Sequence, residues 1–526
     1  MLEKQNRICI IGSGASAIYT LKYLANSPQS LNITVFESHS ELGKGMPYRS
    51  DMNADYMLCN AFSREIPEVT RSLIDWLEGL PKRELSAWEL SMHDLSARAF
   101  YPRLLIGEFL ADEFLTLCKN LRLSGHKVTL RADEKVVDIA INDDNSMSIT
   151  SEITHEPAKF EHVVIATGHS WPATPEIDQA NLLSPWPYTN VTELPPQNIG
   201  ILGSSLSAID IVIALGSTHG EFEEQDGLVT WYPNKNAFNL KITMVSKMGI
   251  MPEGDFYYQF PYLPLEFLSE EGVDLEVSRG PNGLLQRLFD LLCRELDLAD
   301  PKYLDGLGST SRTLDGFAKA YFRKRQELGA QTALKYDFVK ARQSMKERQT
   351  IASRYVLLRA HENFDRALRA LNEEEWAHFS KTLLPVFADS YAAVPHLSLA
   401  RVIAMFDAKV LSLKASGDEA VFKNLENGGV KVEVENGIFK FDVMVDARGQ
   451  ASAPLELLPF PSLVKNRSDV KEYLISPFRL KNNSTEHVSI YCLALPQMLE
   501  RYPFSQGLAN SAENGKLVAE QILNHM

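Results

Sequence analysis

An α/β fold with two Rossmann-like dinucleotide-binding domains and an inserted helical lobe is what these 526 residues predict. Three observations carry that expectation. Two Gly-rich turns, Gly12-Ser13-Gly14-Ala15-Ser16-Ala17 and Gly203-Ser204-Ser205-Leu206-Ser207-Ala208, each stand between a strand pattern and a helix pattern. A helical run from Leu284 to about Asp407 is too long for a Rossmann crossover, and strand patterns return after it at Val430–Val434 and Phe441–Val445.

The first turn follows Arg7-Ile8-Cys9-Ile10-Ile11, an uninterrupted apolar run of the kind a parallel strand buried on both faces needs. Ile18, Leu21, Leu24 and Ala25 then fall on one helix face. Gly12 permits the tight turn, Gly14 lets a pyrophosphate approach the backbone, and small Ala17 lets helix pack on strand, with the helix N-terminus facing phosphate. A second strand, Asn32–Phe36, ends in Glu37, where a carboxylate accepts hydrogen bonds from ribose hydroxyls and disfavours a 2′-phosphate.

Two further features tilt this unit to FAD. The Gly-rich loop Gly43-Lys44-Gly45-Met46-Pro47-Tyr48 supplies extra wrapping for a long ligand. After a meander-like stretch (Lys127–Leu130, Val136–Ile141, Ser146–Ser151), the strand Phe160–Ile165 ends in Ala166-Thr167-Gly168, small enough for the chain to pass close to a cofactor at the sheet's carboxyl edge. Near the end of the chain, Ser505-Gln506-Gly507-Leu508 opens the last helix, Ser511–Asn524, with backbone N–H groups for the flavin pyrimidine edge.

The second turn has Ser205 where the fingerprint has glycine. Its strand (Asn198–Leu202) and helix (Ala208–Leu215) fit, and the next strand, Lys241–Val245, ends in Ser246-Lys247 instead of an acid. A hydroxyl and an ammonium there suit a 2′-phosphate, so NADPH is expected over NADH.

With these residues in view, the chain resembles a bacterial FAD-NAD(P)-binding family of largely uncharacterised oxidoreductases, and more remotely the flavin-dependent N-hydroxylating monooxygenases. The likeness spans most of the chain. It rests on Ile11–Ser16, Gly45–Tyr48, Met57-Leu58-Cys59-Asn60, Pro102-Arg103 with Gly107–Leu110, Ala166–His169, Gly203–Asp210 and Asp446-Ala447-Arg448-Gly449. It implies FAD in the N-terminal unit, a reduced pyridine nucleotide in the second, and for some relatives oxygenation of an amino-acid nitrogen. The Baeyer-Villiger signature is absent, although Gly168-His169-Ser170-Trp171-Pro172 echoes its end.

The residues expected to hold FAD are Gly12, Ser13, Gly14, Ala15, Ser16, Glu37, Ser38, Gly45, Met46, Tyr48, Asn60, Arg103, Thr167, Gly168, Gly507 and Leu508; those for NADPH are Gly203, Ser204, Ser205, Ser207, Ser246 and Lys247. No metal site is expected and no catalytic residue is assigned; His169 and Cys59 lie beside cofactor motifs and fit structural roles equally well. The FAD domain is expected over 1–195 and 450–526, with a boundary at Leu194-Pro195-Pro196, the NAD(P)H domain over 196–283 and 412–449, and the helical lobe over 284–411.

Composition narrows the rest. At about 150 residues per domain the length suits roughly three lobes. A formal charge of −15 repels polyanions, so nucleic acid is not expected as a partner. Cysteines 9, 59, 118, 293 and 492 are odd in number and form no Cys-x-x-Cys, against a disulfide scaffold, a zinc ribbon or a redox dithiol. A polar Met1–Arg7 and the lack of a bilayer-long apolar stretch point to a cytoplasmic protein without a membrane partner. Oligomeric state, a homo-oligomer included, stays open.

Other motifs fail on spacing. His361-Glu362 begins a zincin-like string, but Asp365 holds the second histidine position, and Phe504-Ser505-Gln506-Gly507 lacks the leading glycine of a nucleophile elbow. The acidic stretch His219–Asp226 is expected as a solvated loop ahead of a cation site, and the basic residues Arg323, Lys324, Arg325, Lys340, Arg342, Lys346 and Arg348 as a wet helix face ahead of an anion site. The cofactors would pass hydride from nicotinamide C4 to flavin N5. The resemblance makes the leading expectation a monooxygenase working through C4a-hydroperoxyflavin with molecular oxygen on a small polar, amino-acid-like substrate. Its rivals are an NADPH-dependent flavin reductase without oxygen insertion and a non-catalytic nucleotide-binding redox sensor.

Overall fold

The computed structural model describes residues 6–154, 157–225, 227–391, 393–426, 428–435, 437–465, 474–475, 478–480 and 489–526. The chain divides into two units, Met1–Ser170 with Gln450–Met526, and Trp171–Gly449. The fold is mixed α/β.

In the first unit, the strand Arg7–Ile11 lies at the centre of a sheet. Asn32–Phe36 and then Lys127–Arg131 follow in parallel on one side, and His162–Ile165 and then Ser489–Cys492 on the other. Ile8, Cys9 and Ile10 have no exposed surface, which is why the run shows no polar alternation. Period two nevertheless sorts them. Ile8 and Ile10 join Ile33 and Val35 in a core with the helices Ala15–Leu24, Arg103–Leu123 and Leu508–Asn524. Cys9 and Ile11 join Val163 and Ile165 under the antiparallel sheet Val136–Ile141, Met147–Ser151 and Ala158–Phe160. Burying each such Ile or Leu is worth roughly 1.5–3 kcal/mol, so the central strand fixes its register on both faces.

The second unit repeats this plan. Asn198–Leu202 has Lys241–Ser246 and then Leu411–Ala415 in parallel on one side and Val443–Asp446 on the other. A three-stranded antiparallel sheet, Val421–Asn424, Val430–Val434 and Gly437–Phe441, sets Phe422, Val432 and Phe441 against Leu202, Val245 and Met444. The helix His396–Asp407 packs on Leu206–His219 and leads into Leu411–Ala415. Residues 171–195 fall in this unit, because Leu183 N–H donates to Met444 O at 2.8 Å and Asp446 N–H to Leu183 O at 3.0 Å.

Between these strands stands the lobe of helices from Glu270–Ser278 to Glu373–Tyr391. Leu284, Leu285, Leu288, Phe289, Leu292 and Leu296 are buried along one face of Leu284–Ala299, the face their spacing predicts. Two expectations are corrected here. The acidic stretch after His219 is not a loop: Gly220–Gln225 pairs with Leu228–Pro233, Phe222 opposite Trp231, and the Trp231 indole donates to Gly216 O at 2.9 Å while the glutamates stay in water. Arg325 is not on a wet face: it is 8% exposed and ion-paired with Asp389 at 2.6 Å. Among the described residues no helix is long and apolar enough to cross a membrane.

Candidate functional site

The sheet of the first unit reverses direction of growth between Arg7–Ile11 and His162–Ile165, and such a reversal opens a crevice beyond the strand ends. Gly12 N–H donates to Phe36 O at 2.7 Å and Ala166 N–H to Ile11 O at 2.8 Å, so the turn is stitched across three strand ends. Gly12 has φ +102°, and a Cβ there would lie 2.3 Å from Ala166 O, so only glycine fits.

A cavity of about 400 Å³ sits over this junction. Gly12, Ser13, Gly14, Ala15, Ser16, Glu37, Ser38, Gly45, Met46, Tyr48, Thr167, Gly168, Gly507 and Leu508 all line it. Asn60 and Arg103 are not among the lining residues. Arg103 instead donates to Leu58 O at 3.2 Å. The lining also includes Arg49, Glu134, Phe460, Leu495, Met498, Ser511 and Asn514, which no sequence motif marks.

Glu37 is the most organised group at the cavity wall. Its Oε2 accepts from Ser13 N–H at 3.0 Å and Ser13 Oγ at 2.8 Å; its Oε1 accepts from His39 N–H at 3.1 Å and Ser38 Oγ at 3.2 Å. A carboxylate offers about four lone-pair sites, so a ribose hydroxyl has to displace one donor, and the long Ser38 contact yields most readily. Ser13 has no exposed surface, and its hydroxyl is spent on the protein: besides donating to Glu37, its Oγ accepts from Gly43 N–H at 3.0 Å.

The cations nearby are already engaged. Lys44 holds Glu41 and Glu108, each at 2.8 Å, and Arg49 holds Asp51 through two bonds of 2.9 and 2.8 Å. Negative charge on a ligand therefore falls to backbone donors. The helix Ala15–Leu24 starts from extended Gly14, and Leu508–Asn524 from Gly507, neither with a side-chain cap, which leaves first-turn N–H groups at the cavity without intrahelical partners. A Cβ on Gly168 or Gly507 would meet nothing within 4 Å, so both backbone faces are open. An extended dinucleotide fits this combination of bare glycine faces, N–H donors and strand-end acid.

His169 lines the same cavity, with its pKa lowered to about 4 by burial first and the Arg103 charge second; it is a neutral imidazole at pH 7. Cys59 is buried, lies outside the lining, and burial pushes its thiol pKa up, so it is no thiolate nucleophile.

The second turn is built the same way. Gly203 N–H donates to Val245 O and Ala447 N–H to Leu202 O, each at 2.8 Å; Gly203 has φ +125°, and its Cβ would lie 2.5 Å from Ala447 O. Ile11 pairs with Phe36 and Leu202 with Val245, so Ser246 occupies the position that Glu37 holds in the first unit. Ser246 Oγ is buried with no hydrogen-bond partner. Lys247 ion-pairs with Asp418, the two side chains 69% and 71% exposed. Ser204 Oγ donates to Ile250 O at 2.6 Å, and Ser205 begins the helix Leu206–His219 without a side-chain cap. Ser207 lies in the first turn of that helix.

Fold and crevice are those of a dinucleotide-binding protein. The model of FAD-NAD(P)-binding domains matches residues 9–170, and that of the YdhS-like middle domain matches residues 269–391. Over 521 residues, 98% of this chain and 97% of the relative, the sequence is 33% identical to the uncharacterized protein YdhS of Escherichia coli strain K12. The chain belongs to the YdhS-like family of FAD-NAD(P)-binding proteins. Among solved structures, the reduced form of ornithine hydroxylase (PvdA) from Pseudomonas aeruginosa is similar, at 12% identity with 99% of each chain covered and a TM-score of 0.53, a likeness of fold.

Proposed function

We propose that this protein is an FAD-dependent, NADPH-using monooxygenase that acts on a small polar, amino-acid-like molecule. FAD is assigned to the cavity of the first unit and NADPH to the Gly203 turn of the second. The lobe spanning 269–391 serves as the insertion between the strands of the second domain. Ser246 in the place of an acid, with Lys247 next to it, supports a 2′-phosphate over a free ribose hydroxyl.

One observation carries the choice of a diffusible electron acceptor: the five cysteines form neither a disulfide nor a Cys-x-x-Cys pair, and Cys9, Cys59, Cys118 and Cys492 are buried. No dithiol is there to relay electrons. Bound FAD supplies hydride acceptance and the capacity to activate dioxygen. The chain's own groups do the rest: Glu37 orients the ribose, the first-turn N–H groups hold the pyrophosphate, neutral His169 keeps positive charge off its stretch of the wall, and Phe460, Leu495 and Met498 keep part of it dry. The shared fold with an ornithine hydroxylase supports an amino acid or amine as substrate.

The test is NADPH consumption against a panel of amino acids and amines, with hydrogen peroxide measured in parallel and an anaerobic arm. A compound that stimulates consumption in air while peroxide falls short of NADPH supports the proposal. Peroxide matching NADPH for every compound, or undiminished anaerobic turnover of an acceptor, overturns it in favour of a plain oxidase or reductase.

A further inference from the structure

The segment 250–254 connects the second Gly-rich turn to a buried ion cluster in the helical lobe. Ile250 and Met251 are 5% and 4% exposed. The Ile250 carbonyl accepts from Ser204 Oγ at 2.6 Å, and the next carbonyl, of Met251, accepts from Arg325 Nη2. Glu253 pairs with Arg354 at 2.6 Å, and Arg354 also donates to Gly254 O at 2.7 Å. Two guanidinium groups from two lobe helices, Leu314–Leu328 and Ala352–Leu368, therefore grip a five-residue strap whose near end holds the turn.

The grip on the far side is itself fixed. Arg325 is held by Asp389 at 2.6 and 3.0 Å and by Asp337 at 3.6 Å, and Tyr321 donates to Asp389 at 2.7 Å. Asp255 N–H donates to Val394 O at 2.9 Å, so the strap's exit is also pinned. A buried guanidinium hydrogen-bonded to one acid and one carbonyl and ion-paired with a second acid has one low-energy position, and that position sets the Met251 carbonyl.

We infer that Arg325 and Arg354 are positioning residues for the nicotinamide dinucleotide site: through the strap 250–254 they set Ser204, and with it the backbone N–H groups of the Gly203 turn. The inference rests on the proposed assignment of NADPH to that turn. It gives the lobe a role in cofactor affinity without any contact between lobe side chains and the cofactor.

The experiment titrates NADP+ into the FAD-loaded protein for wild type, Ser204→Ala, Arg325→Lys and the double variant, with FAD content checked by absorbance. Loss of one hydrogen bond in the relay should weaken NADP+ binding by about two- to tenfold in each single variant. In the Ser204→Ala background, Arg325→Lys should add less than about twofold, because the link it acts through is already cut. Arg312→Gln, which breaks an exposed pair with Asp297 and Asp305, should leave affinity unchanged. If Arg325→Lys does not yield folded holoprotein, Arg354→Lys takes its place in the same cycle. Equal effects of the lobe substitution with and without Ser204, or no effect at all, overturn the inference. Gly203→Val separates the two levels: retained NADP+ binding in that variant overturns the site assignment, whereas loss there with an unchanged Arg325→Lys sinks only the positioning role.

Discussion

Ser13 and Glu37, 24 residues apart, are joined twice: the serine's N–H and hydroxyl both donate to Oε2, at 3.0 and 2.8 Å. The same hydroxyl accepts from Gly43 N–H, so one buried oxygen locks together the first turn, the end of the second strand and the wrapping loop. Ser13→Ala leaves Gly43 N–H and one Glu37 lone pair unsatisfied in a dry setting. That should cost about 1–3 kcal/mol of stability and lower FAD occupancy, read by thermal unfolding and the 450 nm absorbance. Ser38→Ala removes only a 3.2 Å contact at the exposed edge and should leave both nearly unchanged.

This bridge also marks the limit of what a linear reading can reach. Gly12, Glu37 and Ala166-Thr167-Gly168 were legible because each is tied to a strand end by local pattern, and strands of unbroken apolar residues declare themselves. That the serine at 13 would turn from the ligand to Glu37 depends on a pairing register between distant segments. Arg325 leaves the expected wet face for the same reason: in sequence it belongs to a run of cations, and only packing of Leu314–Leu328 against Glu373–Tyr391 brings Asp389 to it. The acidic strand Gly220–Gln225 was hidden by its glutamates, since the Trp231 anchor lies on the partner strand.

The two turns should fail separately. Gly12→Ala places a Cβ 2.3 Å from Ala166 O and forces an L residue to φ +102°; the expected product is colourless protein with a stability loss of about 2 kcal/mol or more. Gly203→Ala carries the same lesion at 2.5 Å from Ala447 O and should give yellow protein that no longer binds NADP+. Flavin absorbance and NADP+ titration of the two variants are the measurements.

Asp337 and His169 should pull stability in opposite directions with pH. Burial first and Glu253 second raise the Asp337 pKa to about 6, above its ordinary value of 3.8. Between those values the folded state holds a proton that the unfolded chain releases, so this group's contribution declines as pH rises from about 4 to about 6. Asp337→Asn should therefore stabilise at pH 7.5, by no more than about 3 kcal/mol, with the gain vanishing near pH 4. His169, lowered from 6.5 to about 4, is protonated in the unfolded chain first; its contribution is present above pH 6.5 and is lost as pH falls toward 4. His169→Gln should flatten that part of the stability profile, measured by denaturant titration at each pH.

Asp418 is expected to hold back NADPH preference. It sits on Lys247, the cation proposed to meet the 2′-phosphate, and the loop it belongs to is fastened to the strand end by Ser416 N–H donating to Ser246 O at 2.9 Å and Gly417 N–H to Lys247 O at 3.1 Å. The carboxylate thus remains beside any phosphate that Lys247 attracts. Because the pair is about two-thirds exposed, its own strength is small, and releasing it costs little fold stability. Repulsion of a doubly charged phosphate is the larger effect. Asp418→Asn should raise kcat/KM for NADPH about two- to fivefold and leave NADH within error, with the gain shrinking as salt screens the site. Equal gains for both nucleotides would remove Lys247 from the 2′-phosphate and return the choice of cofactor to the ribose contacts of the turn.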